Sequence, residues 1–151
     1  MTQAESSDAT TYTETIHAQG HEHVSAAHSS TFEVTSDDWL TPAGDCILAI
    51  DADRTPADFS AEFVEAARQP TAEITATIAT DNQSQTIVGR GHPDLTFTGD
   101  RSAVGRTSEY TDDRTIMIGA DAAAKHVDRD LVAALQDGGD VTLTLRVAVD
   151  Q

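Results

Sequence analysis

The sequence is poor in cysteine and in long apolar runs, and both shortages restrict where the protein can work. Its 151 residues contain a single cysteine, Cys46, so no intramolecular disulfide can form, as is usual in a reducing compartment. No stretch approaches the ~18 apolar residues of a membrane span, and the N-terminus lacks the basic start and apolar core of a signal peptide. We therefore expect a cytoplasmic protein that makes no membrane contact.

Positive charge is scarce as well. The chain has 26 Asp and Glu residues against 9 Lys and Arg residues, a formal net charge of -17, and Lys125 is its one lysine. Such a field repels nucleic acids at long range, which argues against DNA binding. The acidic residues are dispersed, and screening relieves their repulsion in molar salt, where the Debye length shrinks to ~3 Å. The composition predicts a halophilic protein with an acidic, solvated surface.

Catalytic signatures are missing. No Gly-x-Ser-x-Gly elbow and no glycine-rich phosphate loop between a strand and a helix occurs, so neither a serine nucleophile nor a nucleotide site is expected. Cys46 opens the apolar run that ends at Ile50, where a free thiol acts as a small buried hydrophobe, and we favour that role over a reactive nucleophile. We expect Trp39, the one tryptophan, to fill the core from its edge; the alternative is a partner surface.

The chain shows weak internal similarity when residues 45–68 are laid on residues 113–136. Each half reads Gly-His, short β-like runs, an apolar strand ending in Ala-Asp, a helix and an alternating strand. We predict a disordered acidic tail over residues 1–11 and one α+β domain over 12–151, built from two β-rich repeats at about 16–80 and 86–150. The identical pairs are Asp45/Asp113, Ile50/Ile118, Ala52/Ala120, Asp53/Asp121, Val64/Val132 and Ala66/Ala134.

One helix is predicted in each half. The first lies between Thr55, an N-cap, and Pro70, which cannot continue it; the second follows Asp121 and stops at Gly138. We expect Asp53 and Asp121 to cap these helices rather than to bind a cation or act as an acid and base pair. Alternation and turn residues predict strands at 12–18, 23–27, 31–35, 74–78, 86–90, 103–106 and 141–149.

The Gly44-Asp45 pair precedes a strand, a helix and another strand. This layout looks like the Gly-Asp turn of double-psi barrels, in which Asp accepts backbone N–H groups, and it suggests a mixed sheet in a pseudo-symmetric barrel. The second half departs from the pattern, because Asp112-Asp113 stands in place of Gly-Asp. We therefore favour the alternative, a plain Asx turn.

A set of short motifs runs through both halves of the chain: Gly20-His21, His28, Leu40-Thr41, Gly44-Asp45-Cys46-Ile47, Ala52-Asp53, Arg114-Thr115, Ala120-Asp121 and Asp128 to Leu131. With these motifs the chain resembles, from about Ile16 to Val149, an archaeal family of uncharacterised proteins, domain of unknown function 371. The resemblance implies archaeal origin and a duplicated α+β domain, and it brings no settled activity. The family tends to have Ala-Asp-Lys-Ala at each helix start, where this chain has Arg54 and Ala122; if those lysines bind an anion, Arg54 can serve and Ala122 cannot.

Four of the six histidines fall between His17 and His28. His21 and His23 share one face if the segment is a strand, so they and His28 form a candidate site for a transition metal such as Zn, Fe, Ni or Mn. The alternative is histidines that are solvated or hydrogen-bonded. In particular, His21 and His92 each follow a glycine, and the ring can cap a backbone group in such a turn.

Two functions of different classes follow. The first, which we favour, is a non-catalytic binding module that engages a protein or RNA partner, because catalytic motifs are absent and a duplicated body offers a groove. The second is a small metal-dependent enzyme in the first repeat, with the three histidines as ligands and Asp45 or Asp53 as base. The candidate functional cluster is His21, His28, Asp45, Asp53 and Arg54.

Overall fold

The computed structural model describes residues 9–150, in which eight strands and two helices follow one another. Each helix is preceded by a one-turn 3-10 helix, at Pro56–Asp58 and at Ala124–His126. In chain order the elements are β1 Ala9–Gln19, β2 Thr31–Thr35, β3 Ile47–Ala49, α1 Ala61–Ala67, β4 Glu73–Ala79, β5 Ser84–Arg90, β6 Ser102–Arg106, β7 Thr115–Met117, α2 Arg129–Gln136 and β8 Asp140–Asp150.

The strands form two four-stranded sheets. An antiparallel sheet has the order β1-β8-β4-β5, and a mixed sheet has the order β3-β2-β6-β7, with parallel pairing only at its two edges. Single bridges, Gln19 to Ile50 and Arg90 to Ile118, are the only pairing between the sheets within residues 9–150. The α+β class and the mixed sheet are confirmed, but the suggested barrel is wrong. The edge strands β3 and β7 have three residues each, too few to continue a ladder from one sheet to the other.

The core lies between the sheets and the helices. The alternating strands β4 and β8 direct their apolar residues inward, as predicted, and Phe63 of α1 packs edge-on against Phe59 and Phe97. Helix α1 lies against β1 and β8, so its apolar face covers the antiparallel sheet. Threonines fill much of the outward face of that sheet and are half-buried or exposed.

The first half, residues 9–79, and the second half, residues 84–150, present the same order of elements and matching contacts. Gly20 after β1 and Gly91 after β5 lie against the C-terminal turns of α2 and α1. A Cβ at Gly20 would overlap the carbonyl oxygen of Leu135, and one at Gly91 would overlap that of Ala67. Neither glycine has a positive φ, so close approach, not unusual backbone conformation, is what requires glycine here.

Several predicted boundaries are wrong. Strand β1 begins at Ala9, so the predicted tail ends before residue 9, and residues 1–8 lie outside the described range. Residues 23–27 form no strand. Each predicted helix is divided into a 3-10 turn and a short α-helix, with Ser60 and Asp128 as the N-caps of α1 and α2. Thr55 instead caps the first 3-10 turn, with Pro56 as its first residue.

Asp53 and Asp121 do not cap the helices either. The carboxylate of Asp53 accepts from the backbone N–H of His17 on β1, and that of Asp121 accepts from Val88 on β5. Their own N–H groups donate to the carbonyls of the same two residues. Both aspartates therefore block an outer edge of the antiparallel sheet, where unpaired N–H and C=O groups would otherwise invite another strand.

Candidate functional surface

Two aromatic side chains stand out from the surface. Trp39 is 55% exposed and Tyr110 is 61% exposed, and they are the only large hydrophobic side chains exposed in the described part of the chain. The two residues occupy equivalent places in their loops. The carbonyl of Asp37, two residues before Trp39, accepts from a backbone N–H just after β3, and the carbonyl of Ser108, two residues before Tyr110, accepts from one just after β7. The prediction that Trp39 fills the core is wrong, because Trp39 is exposed and its neighbour Leu40 is the buried residue.

Trp39 forms one wall of an open groove of about 380 Å³ beside the mixed sheet. The lining combines apolar side chains with two acidic and two basic ones, so the formal charges of the groove cancel. Its lining comprises Trp39, Leu40, Thr41, Ala43, Gly44, Ile47, Glu33, Asp37, Arg101, Ser102 and Arg114.

An ion pair closes one end of the groove. Arg101 donates from Nε and Nη2 to the carboxylate of Asp37, with a shortest distance of 2.7 Å. The Arg101 hydrogen bond lowers the pKa of Asp37, so the carboxylate stays ionised. This fork geometry ties the loop after β2 to the residue before β6.

A second network lies under Tyr110. The ring stacks on the guanidinium of Arg106 at 4.8 Å, and Arg106 donates to Asp112 and to Thr115. Asp112 also accepts from the backbone N–H and the guanidinium of Arg114. Burial would raise the pKa of Asp112, but the hydrogen bonds from Arg114 and Thr115 and the charge of Arg106 lower it to about 2. Arg114 thus connects the Tyr110 network to the groove beside Trp39.

We call Trp39, Tyr110, Arg101, Arg106 and Arg114 together the aromatic–arginine surface. Sequence reasoning missed four of the five. A signal was available, because three of the eight arginines of this acidic chain fall between residues 101 and 114. The rest of the signal was not available, since it depends on the fold bringing Arg101 and Arg114 to the groove that Trp39 lines.

Cys46 is half-buried and its thiol donates to Oε1 of Glu33 at 3.2 Å. Burial, followed by the negative charge of Glu33, raises the pKa of the Cys46 thiol to about 12. The group is therefore a protonated thiol near neutral pH, which supports the structural role over the nucleophile.

Ser102 contributes a buried hydroxyl to the groove. The residue is 2% exposed, and its Oγ has no hydrogen-bond partner among residues 9–150. Alternation along β6 places Ser102 on the sheet face opposite Ala103 and Gly105, which face the core with Phe32. The side chain of Ser102 therefore lies on the groove side of the sheet and not within the apolar core.

The predicted histidine site is not assembled as three ligands. Nδ1 of His21 accepts from the backbone N–H of His23, Nδ1 of His28 accepts from those of Ser30 and Thr31, and Nδ1 of His23 lies 2.9 Å from the carbonyl oxygen of Leu40. Within residues 9–150, no three His, Cys, Asp or Glu side chains are grouped so that they could hold a metal ion. These contacts are the ones expected of the alternative, in which the rings cap backbone groups.

The remaining predicted site residues make structural contacts. Arg54 pairs with Glu14 at 2.7 Å and donates to two backbone carbonyls. The carbonyl of Asp45 accepts from His28, which brings these two residues together through the backbone. The side chain of Asp45 makes no hydrogen bond in the described residues, so the Asx turn expected there is wrong. An Asx turn occurs instead in the second half, at Asp112.

Comparison with known proteins gives relatives without an assigned activity. The family model described as Domain of unknown function (DUF371) matches residues 16–148. The chain is also similar to an uncharacterized protein of the archaeon Methanocaldococcus jannaschii, with 41% identity over 132 residues, covering 87% of this chain and 97% of that protein. In addition, no helix within residues 9–150 is long and apolar enough to cross a membrane.

Proposed function

Because this chain belongs to the family Domain of unknown function (DUF371), whose name assigns no activity, we propose its function from its own surface: a non-catalytic module that binds a protein partner. The partner docks on the aromatic–arginine surface. The proposal extends to the family only where relatives keep these side chains.

The exposure of Trp39 and Tyr110 beside arginines carries the proposal. Tryptophan, tyrosine and arginine are the residue types that dominate the binding energy of protein interfaces. An exposed Trp costs free energy in water unless a partner covers it. Elsewhere in the described chain the large apolar side chains are buried or half-buried, so these two aromatics are the apolar groups that a partner could cover. They are connected through Asp112, which pairs with Arg106 under Tyr110 and with Arg114 in the groove beside Trp39.

The charges of this surface favour protein over RNA. Arg101 is paired with Asp37, and Arg106 and Arg114 are both paired with Asp112. Nucleic-acid grooves need unneutralised positive charge along the phosphate backbone, which these pairs do not offer. The formal charge of -17 adds long-range repulsion.

We also infer that the two halves arose by duplication and that the docking surface uses both copies. Trp39 and Tyr110 lie in the loops that follow β2 and β6, the antiparallel central strands of the mixed sheet, so the two loops leave opposite ends of this strand pair. The loop after β6 returns along the sheet and brings Arg114 into the groove beside Trp39. The matched glycine contacts, aspartate contacts and sheet orders support the same origin. A duplicated scaffold can present two loops to one partner without a catalytic centre in either half.

The test is recovery of a partner from extract of the source cells in molar KCl. Untagged wild-type protein is coupled to a resin and compared with the double variant Trp39→Ala, Tyr110→Ala. The control is Thr77→Ala, Thr144→Ala on the outward face of the antiparallel sheet. We expect at least about 10-fold less of a specific protein on the aromatic variant and no loss on the control, since two hot-spot aromatics contribute 2 kcal/mol or more each.

Equal recovery on all three resins contradicts the proposal. RNA that is recovered on wild type and lost on the aromatic variant, and that survives protease treatment, would replace protein with RNA as the partner. Both aromatic side chains are largely exposed, and the cation–π contact of Tyr110 with Arg106 is worth about 0.5–1 kcal/mol. The aromatic variant should therefore lose no more than about 1 kcal/mol of unfolding free energy, which separates lost binding from lost folding.

A further inference from the structure

Ser102 at the floor of the groove is built like a ligand contact. A buried hydroxyl without a partner carries a desolvation cost that native structures rarely leave uncompensated. Ser102 meets this description at 2% exposure, and its side chain lines a groove open to solvent. A bound group that accepts from this hydroxyl would remove the cost.

Two charged side chains of the groove have hydrogen-bonding capacity left for such a group. Arg114 donates to Asp112 from Nη2, whereas its Nη1 and Nε donate to no group within residues 9–150. Glu33 accepts from Cys46 at Oε1, and its Oε2 has no partner in the same residues. The groove thus offers two donors, on Ser102 and Arg114, and one acceptor, on Glu33.

The sheet fixes the spacing of these groups. Glu33 of β2 is paired with Val104 of β6, so Ser102 is the diagonal neighbour of Glu33 on the same sheet face. Diagonal neighbours are roughly 7–8 Å apart at the backbone, so the two side chains stand next to each other on the same face of the sheet and one bound group can contact both.

We propose that the groove binds an extended peptide segment of the protein partner and holds one of its backbone amides, with the C=O at Ser102 and Arg114 and the N–H at Glu33. This inference rests on the proposed function, because it names what the partner inserts beside Trp39. Trp39 and Ile47 then cover the flanking side chains of the segment.

The balance of charge selects an amide over an anion or a cation. Glu33 and Asp37 oppose Arg101 and Arg114 in the lining, so the groove has no formal charge to neutralise. A carboxylate or phosphate would meet Glu33, and an ammonium group would meet Arg114. An amide presents one acceptor and one donor and meets neither repulsion.

A random twelve-residue peptide library displayed on phage and selected on the wild-type protein in molar KCl tests the proposal. Dissociation constants of enriched peptides are then measured on Ser102→Ala, on Glu33→Met, which removes the acceptor at similar volume, and on the matched control Ser25→Ala. Ser25 has the other buried hydroxyl without a partner and does not line the groove. We expect at least 10-fold weaker binding to the two groove variants and an unchanged constant for Ser25→Ala.

Folding is a separate readout. Removing an unpaired buried hydroxyl leaves stability unchanged or raised, so Ser102→Ala should lose affinity without losing folding. The amide contact is tested directly by replacing, one at a time, the amides of the best peptide with esters, which lack the N–H. One replacement should weaken binding to the wild type about 10-fold and have no effect on Glu33→Met, which has no acceptor for that N–H.

The outcomes separate this inference from the proposed function. Peptides that depend on Trp39 and Tyr110 but bind Ser102→Ala and Glu33→Met normally would overturn the amide contact and keep the docking surface. Peptides insensitive to all four positions, or no enrichment above the bare resin, would overturn the groove as a peptide site. A partner recovered from extract that depends on Trp39 would still support the surface in that case.

Discussion

The two halves of the molecule attach their first strand to their helix in the same place but with different charges. In the first half, Glu14 of β1 accepts from the backbone N–H of Ser60, the N-cap of α1, at 2.7 Å. Glu14 is 8% exposed, and Arg54 pairs with it at 2.7 Å. A buried carboxylate is thus held by both a hydrogen bond and a cation.

In the second half the charge is absent and the hydrogen bond remains. Gln85 of β5 accepts from the backbone N–H of Asp128, the N-cap of α2, also at 2.7 Å. Ala122 stands where the first half has Arg54. Both members of the Glu14–Arg54 pair thus have uncharged counterparts in the second half, where the glutamine makes the positioning contact without needing a cation. The shared hydrogen bond therefore positions the helix, and the ion pair compensates the charge of Glu14.

The loops beside the mixed sheet differ more between the two halves than the strand and helix contacts do. Trp39 and Tyr110 correspond, but Asp112, with its two arginines, takes the position that Gly44 occupies in the first half. Cys46 and Arg114 correspond as well, and both lie beside Glu33. The framework contacts recur in both halves, whereas the loops form an open groove in one half and an arginine network in the other. This difference is expected if, as proposed, the loops bind the partner.

The largest effect is expected where the halves agree most closely. Gly20→Ala and Gly91→Ala each drive a Cβ into a backbone carbonyl of the opposite half's helix, so each should lower the free energy of unfolding by about 3 kcal/mol or more. Urea unfolding in molar KCl measures this. Gly139→Ala, where a Cβ meets nothing within 4 Å, is the control and should change stability by less than about 0.5 kcal/mol. A large loss at only one glycine would contradict the equivalence.

The next effect tests the charge difference. Arg54→Ala leaves Glu14 buried without its cation and should cost about 3 kcal/mol. Adding Glu14→Gln converts the first half to the arrangement of the second, and we expect it to recover most of that loss. The measurement is a double-mutant cycle in unfolding free energy. Additive losses would show that Arg54 acts through its packing on Phe59, 5.7 Å from its guanidinium, and not through charge.

Alternation of apolar and polar residues predicted those strands that have partners on both sides or a covered face. Strand β2 occupies residues 31–35, as predicted. Residues 23–27 alternate as well, with Val24 and Ala26 fully buried, yet they pair with no strand because Ala26 has a φ of 48°. Alternation reports which side chains are buried, and the pairing of the backbone has to come from elsewhere.

The candidate surface was harder to predict than the fold. Trp39 and Leu40 are adjacent apolar residues, and the sequence does not indicate which of the two is buried. Arg106, Asp112 and Arg114 meet only because the loop after β6 returns to β7. Hydrogen bonds between side chains on different loops leave no periodic signal, whereas a scarce residue type concentrated in one segment does.

The acid response should separate the halves further. Burial opposes ionisation of Asp112, yet its hydrogen bonds and Arg106 lower the pKa to about 2 in the folded state, below ~3.9 when unfolded. A lowered pKa stabilises the fold above the unfolded value, and that contribution disappears as pH falls from about 4 to about 2. We expect it to be about 1–2 kcal/mol after allowing for solvent screening.

Asp112→Asn should therefore lower stability at pH 6 by about that amount and flatten the loss between pH 4 and pH 2. Urea midpoints at matched ionic strength measure both. Asp45→Asn is the control in the first half, because that carboxylate makes no hydrogen bond among the described residues. A pH profile that stays unchanged in Asp112→Asn would show that the Tyr110 network does not depend on this charge.

The smallest effect decides between the two roles predicted for the histidines. Nδ1 of His21 accepts from the N–H two residues on, and Nδ1 of His92 does the same in the second half, each at 3.0 Å. If both rings only cap a turn, His21→Ala and His92→Ala should each cost about 0.5–1 kcal/mol, with no difference between them. If His21 binds a metal, elemental analysis of untagged protein gel-filtered in molar KCl will find a stoichiometric ion that His21→Ala loses and His92→Ala keeps. The backbone contact at position 28 does not need a histidine either. The N–H of His28 donates to the carbonyl of Asp45, and in the second half the N–H of Gly99 donates in the same way to the carbonyl of Asp113. We therefore expect equal costs for the two variants and no such ion, because the turn contact is the same in both halves.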